Sequence, residues 1–246
     1  MAVDHSHGVL YSTGDKKLLY GLDIAKQTMY TQLKISNSQP SKLVIDEENQ
    51  RIYLATREGL LMILDISSKD HPVLVHTIKM VLHPNSIGAS FVKQMHLDTV
   101  GNILVCRMSS GIIYFVKLFQ PPRDENAFFL EMMEHYKPKP NEKNPENISE
   151  MCMIQRLQCY CEGTKMGYLR IRDYNSKGEC LLQFQCDFTE KVRMLYHDKL
   201  KNLLFAASKD GSLCVWKLPP EWSPKWIEDK LKELRLNRKA DGFKNW

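Results

Sequence analysis

Hydrophobic and polar positions along the chain alternate in short runs rather than recurring every three or four residues, and the runs come in pairs. The clearest pair is 202–218, NLLFAASKDGSLCVWKL. An apolar run, 203–208, meets Lys209-Asp210-Gly211, and a second run, 212–218, alternates toward Trp216. Asp-Gly between two such runs predicts a β-hairpin, because glycine takes a positive φ without a Cβ clash.

With its turn glycine as origin, the same unit recurs four more times. Segment 102–118 places Gly111 on the glycine, 51–65 places Gly59 there, 158–174 places Gly167 there, and 9–23 puts Lys17 in the slot. The origins are spaced 42, 52, 56 and 44 residues apart. A second landmark keeps the same register: thirteen residues before the origin stand Asp4, Asp46, Asp98 and Asp198, and the fourth unit has Ile154 instead. Carboxylates repeated at one offset predict turn residues that bond their own backbone, not catalytic acids.

The first unit, 2–36, reads as a strand ending at Asp4, the hairpin 9–23 and a fourth strand over 28–36. The second, 41–80, repeats this with 41–46, 51–67 and 71–80. The third, 90–147, has 91–97 and the hairpin around Gly111. The fourth, 148–188, has 149–157, the hairpin around Gly167 and 180–188. The fifth, 190–218, has 191–196 and the hairpin around Gly211, and Pro219-Pro220 stops it before a fourth strand. Four short strands in about forty residues is the period of a propeller blade, a twisted sheet that cannot bury both faces alone.

The segment 208–217, SKDGSLCVWK, resembles the end of a WD40 repeat. The resemblance implies that Ser208, Asp210 and Trp216 form a hydrogen-bonded set that locks the blade. Lys217 stands where the family has Asp, the other four hairpins lack the Trp, and no Gly-His opens a unit. The expected fold is therefore all-β, a degenerate WD40-like β-propeller of about five four-stranded blades over 1–218, followed by a helical tail, 219–246. Five is fewer than the family usually closes with, so the expectation is an incomplete or irregularly closed ring that needs a partner or further chain to seal it.

Two segments break the period. The insertion 119–147 has a centre, 127–136, that reads as an extra outer strand or a short helix showing Phe128, Phe129, Met132 and Met133; its flanks are rich in Pro, Asn, Glu and Lys. In the tail, Ser223-Pro224 predicts a helix start, with Glu228 and Asp229 early and Arg235, Arg238 and Lys239 late, so a helix is expected over 224–239. Ile227, Leu231 and Leu234, with Trp226 beside them, form a narrow apolar stripe. The stripe either packs back on the propeller or docks in a partner groove, and these residues with Phe128, Phe129 and Met132 are the interaction candidates.

Composition narrows the function. An apolar fraction of 43% and a charged fraction of 26% suit a globular chain. A net charge of +5 does not suggest nucleic acid. Seven cysteines, an odd number set mostly inside strand-like runs, predict reduced thiols and a cytoplasmic, reducing setting. The start, Met1-Ala2-Val3-Asp4-His5, has no secretory apolar core, and no apolar run approaches the roughly 20 residues of a spanning helix. G-x-S-x-G, P-loop, dinucleotide and H-E-x-x-H motifs are absent from the sequence. His5 and His7, and Cys159 and Cys161, have strand-face spacing but lack a second zinc-type pair, so neither a metal nor another cofactor is expected.

The reading is a non-catalytic scaffold mediating protein–protein interactions within a larger assembly. The alternative is a peripheral phosphoinositide- or membrane-binding propeller. Adjacent arginines are missing from every inter-blade turn, and five acidic residues accompany eight basic ones over 217–246, which disfavours a membrane surface.

Overall fold

In the computed structural model, residues 1–14, 17–35, 39–68, 71–80, 91–109, 111–119, 129–136, 148–174, 180–223 and 225–233 are described. They form two compact units, Met1–Glu134 and His135–Trp246.

The first unit holds three sheets. Strands β1 (Ala2–Asp4), β2 (Val9–Thr13), β3 (Leu18–Asp23) and β4 (Thr28–Lys34) lie side by side in chain order, as do β5 (Pro40–Asp46), β6 (Arg51–Thr56), β7 (Leu60–Asp65) and β8 (Val73–Lys79). The third sheet is β9 (Val92–Asp98), β10 (Ile103–Met108), β11 (Ile113–Phe119) and β12 (Phe129–Tyr136). The centre of the insertion is thus the outer strand of this sheet and not a helix; Phe129 and Met132 lie in β12, whereas Phe128 falls outside the described residues.

The second unit holds β13 (Ile148–Ile154), β14 (Cys159–Thr164), β15 (Tyr168–Asp173) and β16 (Cys180–Gln185), then a three-stranded sheet of β17 (Val192–Asp198), β18 (Leu203–Ser208) and β19 (Leu213–Lys217). Within the units the first strands pack side by side, β1 with β5, β5 with β9, and β13 with β17. That is the blade order of a propeller.

The repeat register of the sequence is a backbone fact. Lys17, Gly59, Gly111, Gly167 and Gly211 all have positive φ, 61, 77, 87, 76 and 90°. Each donates its N–H to the carbonyl three residues back, closing a turn at 3.0 to 3.4 Å. Where a fourth strand follows in the first, second and fourth sheets, the carbonyls of Lys17, Gly59 and Gly167 accept from Ile35, Met80 and Cys186.

The four aspartates stand in the turn between first and second strands. Asp98 Oδ1 accepts from the N–H groups of Val100 and Gly101 at 3.1 and 3.3 Å, and Asp198 Oδ1 from Leu200 and Lys201 at 2.9 and 3.1 Å. Asp46 accepts from the Asn49 N–H, and Asp4 from the His7 N–H. Four residues after each, Gly8, Gln50, Asn102 and Asn202 take positive φ, which reverses the chain into the second strand. In the fourth sheet, where Ile154 replaces the aspartate, a 3₁₀ turn at Gln155–Leu157 makes the same reversal and Gln158 takes φ 51°. A different local hydrogen-bond pattern therefore keeps the register.

The tail helix α1, 225–233 among the described residues, packs on the second unit. Its N-terminus is capped by Ser223, whose Oγ accepts the Trp226 N–H at 3.2 Å. Ile227 and Leu231 are 5% and 6% exposed inside the core shared by the fourth and fifth sheets. Of the two alternatives for the stripe, Ile227 and Leu231 take the first: they pack back on the protein's own sheets and are not open to a partner. Trp226 is half-buried, stacked on Trp222 at 4.7 Å, and Leu234 lies outside the described residues. Arg156, in the 3₁₀ turn, ties the chain leading to α1: Nε donates to Asn202 Oδ1, Nη1 to the Trp222 carbonyl at 2.9 Å and Nη2 to the Pro219 carbonyl at 3.2 Å.

Two expected outcomes follow from this packing. A Cβ on Gly163 would sit 2.6 Å from Val192 Cγ1, so Gly163→Ala overpacks the seam between β14 and β17 and costs about 1–3 kcal/mol. A melting-temperature drop of several degrees is expected, partly reversed by adding Val192→Ala; an unchanged melting temperature contradicts the close approach. Arg156→Ala should accelerate amide hydrogen exchange at Trp222, Trp226 and Ile227 with little change in β13 to β15. Arg156→Lys should fail to restore protection, because one ammonium cannot span three acceptors; unaltered exchange in both variants argues against the clasp.

Candidate functional site

The hairpin most like a WD40 repeat is built around Asp210. Its carboxylate accepts from Thr189 N–H and Oγ1, both at 2.8 Å, and from the Ser212 N–H at 2.8 Å. Those bonds, Ser212 first, hold the Asp210 carboxyl well below the usual carboxylate range. Ser208 Oγ donates to the Glu190 carbonyl at 3.1 Å and accepts the Asp210 N–H at 3.4 Å. Ser208 and Asp210 thus join the β18–β19 turn to the segment before β17. Trp216 stands elsewhere: its ring meets Phe184 of β16 edge-on at 5.5 Å, across the seam between sheets. The triad implied by resemblance divides into a hydrogen-bonded pair and a packing residue.

Side-chain parity then decides which faces are used. Counted from the positive-φ residue of each hairpin, paired residues of the two hairpin strands share even or odd parity, because side chains alternate and register pairs equal faces, and a residue of the first strand belongs to the face of the hairpin residue it pairs with, as Tyr196 with Phe205. In the first sheet the even face, Val9, Tyr11 and Leu19, packs on the odd face of the second, Ile52, Leu54, Met62 and Leu64. The even face of the second, Tyr53, Ala55, Leu61 and Ile63, packs on the odd face of the third, Leu104, Cys106, Tyr114 and Val116. In the other unit the even face of the fourth sheet, Cys159, Cys161, Leu169 and Ile171, packs on the odd face of the fifth, where Leu204, Ala206, Cys214 and Trp216 stand. The rule is even on odd throughout each unit.

The even face of the fifth sheet carries the same kind of residues, and among the described residues no sheet covers it. Its rows are Tyr196–Phe205–Val215 and Met194–Ala207–Leu213. Met194, Tyr196, Leu213 and Val215 are 49, 57, 60 and 47% exposed, and Phe205, Ala207 and Leu203 are half-buried. Tyr196 and Phe205 lie 6.1 Å apart. The matching positions in the fourth sheet, Leu169 and Ile171, are fully buried. Lys199, Lys201 and Lys217, all exposed, border one end of this face, and the carboxylate of Asp198 there serves its own turn. This contiguous apolar face makes the sheet the candidate site.

Reading single motifs missed this face. The signal was present in 203–207, Leu-Leu-Phe-Ala-Ala, which is apolar at both parities, as a strand buried on both sides must be.

The cysteines and the His7–Asp4 pair sit in structural surroundings. All seven cysteines are thiols. Burial pushes Cys106 and Cys186 up to about 12, and a hydrogen bond with Cys152 together with burial raises Cys161 well above its ordinary value. Such thiols stay protonated and are weak nucleophiles and ligands. Cys159 and Cys161 share the buried even face of the fourth sheet, and His7 Nδ1 lies 2.7 Å from Asp4 Oδ2 in the first turn. Among the described residues no three His, Cys, Asp or Glu side chains converge on a point that suits a metal ion. Arg172 Nε donates to the buried Glu162 carboxylate at 2.8 Å, an ion pair within the fourth sheet.

No family model and no curated protein sequence matches the chain. Solved structures do. Raptor from Chaetomium thermophilum is similar over 91% of this chain and 19% of its own, with a TM-score of 0.66 and 14% identity. The β-propeller domain of Cps50 (Swd1) from Myceliophteria thermophila is similar over 89% of this chain and 65% of its own, with a TM-score of 0.67 and 11% identity. The chain thus spans less than two-thirds of either. At these identities the likeness speaks for the fold, an all-β WD40-like propeller of about five sheets with a C-terminal helix.

Proposed function

We propose that this chain is a non-catalytic scaffold that holds other proteins in an assembly. The observation that carries the reading is the exposed even face of the β17–β19 sheet, uncovered among the described residues, whereas the even faces of the first, second and fourth sheets are each packed on a neighbouring sheet. Fully covering a side chain the size of Leu213 or Val215 contributes roughly 1.5–3 kcal/mol, about half of it for residues already half-covered, so four such residues contribute about 3–6 kcal/mol toward holding a partner. The protein-binding reading is better supported than the lipid one, because this face is apolar and aromatic at its centre.

The test compares the wild-type chain with Tyr196→Asp/Val215→Asp, two exposed positions whose change leaves the core intact. In native extract, the wild type should elute with co-purifying proteins, far above its own 28.6 kDa. The double variant should retain them at least about 30-fold less, the equivalent of roughly 2 kcal/mol. Circular dichroism checks that both fold. Equal elution of the two proteins, or retention on phosphoinositide vesicles in place of proteins, would overturn the reading.

A further inference from the structure

We propose that the even face of the β17–β19 sheet takes a further antiparallel β-sheet carried by another polypeptide, seated as this chain's own sheets seat on one another. The inference rests on the scaffold reading and adds the class of partner and its mode of contact.

Three times within the two units an even face is covered, and each time the cover is the odd face of an antiparallel sheet. Each covering sheet brings its first strand beside the first strand beneath it. The seat is made by even positions on both strands of the hairpin, with −6 and +2 under the cover in all three cases and −8, −6, +2 and +4 in the fourth sheet. In the fourth sheet these are Cys159, Cys161, Leu169 and Ile171, and the cover is Val192, Leu195, Leu204 and Ala206. In the fifth sheet the same four positions are Leu203, Phe205, Leu213 and Val215. They keep apolar chemistry while half or more of the surface at Leu213 is open. Two cross-strand rows, two residues apart along each strand, match the alternation of a covering strand; a helix would present contacts every three or four residues and needs a groove.

Charge adds a further condition on the partner. The end of the face bordered by Lys199, Lys201 and Lys217 calls for carboxylates on the covering sheet. The equivalent of Lys217 in the first, second and fourth sheets is Asp23, Asp65 and Asp173, so the fifth sheet differs from them in the sign of this edge. The partner is thus an antiparallel sheet with an aliphatic face and an acidic border.

The test is photo-crosslinking from the face. Full-length protein carrying p-benzoylphenylalanine in place of Tyr196, Leu213 or Val215, or of Val73 on β8 as an exposed control, is irradiated in native extract, and the crosslinked partner residues are mapped by mass spectrometry. The expected result is capture from the three face positions and not from Val73, with partner residues two apart within a segment and aliphatic, and with yield falling several-fold in 0.5 M salt. Capture at residues three or four apart overturns the sheet mode while the scaffold reading stands. Capture onto Leu10, Tyr20 or Leu22 of a second copy, the half-buried odd face of the first sheet, shows self-assembly and overturns the partner assignment. Absence of capture from all three face positions in folded protein overturns both.

Discussion

Everything in this molecule follows from a sheet that is apolar on both faces. A four-stranded antiparallel sheet with one polar face can rest on a core and meet water on the other side. Strands such as Leu60–Asp65, buried along four consecutive positions, allow no wet side. Each sheet must be covered twice, and the cheapest cover is another copy of itself. The even-on-odd contact is the repeating bond of the fold, and the close approach of Gly163 to Val192 shows how little room it leaves.

The turns serve that contact by fixing register. A slip of one residue would exchange even and odd faces along a whole strand. Both ends of the β2–β3-type hairpins are pinned by backbone geometry, with a positive-φ residue at the tip and another at the base. The base is also closed by paired amides, as where Leu118 donates to the Asn102 carbonyl and Leu218 to the Asn202 carbonyl. Asp4, Asp46, Asp98 and Asp198 are acceptors in this base turn, which explains why carboxylates recur in a chain whose geometry gives them structural work.

This backbone layer was legible in the sequence because it is local. Asp-Gly and the Asp offset each report a hydrogen bond within a few residues, so hairpins, aspartate turns and the missing fourth strand of the last sheet could be placed without coordinates. What was illegible is long-range. The stripe Ile227 and Leu231 has the same spacing whether it faces a partner or its own core, and only the position of α1 beside Leu218 and Trp222 decides. Arg156 carries no motif, and its three acceptors are 46 to 66 residues away. The Ser208, Asp210 and Trp216 set was half legible: two members share a local turn, whereas Trp216 meets Phe184 of another sheet. The open face was written in 203–207, yet apolar residues at both parities say that a cover is needed, not where it comes from.

The central claim is that the sheets within each unit bury even faces on odd ones and that, among the described residues, the even face of the last sheet stays open. Hydroxyl-radical footprinting of the purified full-length chain tests it most directly, residue by residue. Met194, Tyr196 and Leu213 should be modified at rates normal for exposed side chains, while Tyr11, Tyr53 and Met62, on seams of the first unit, react at least about ten times more slowly than exposed residues of the same type. Strong protection of Met194 and Tyr196, or fast modification of Tyr11 and Tyr53, would contradict the account.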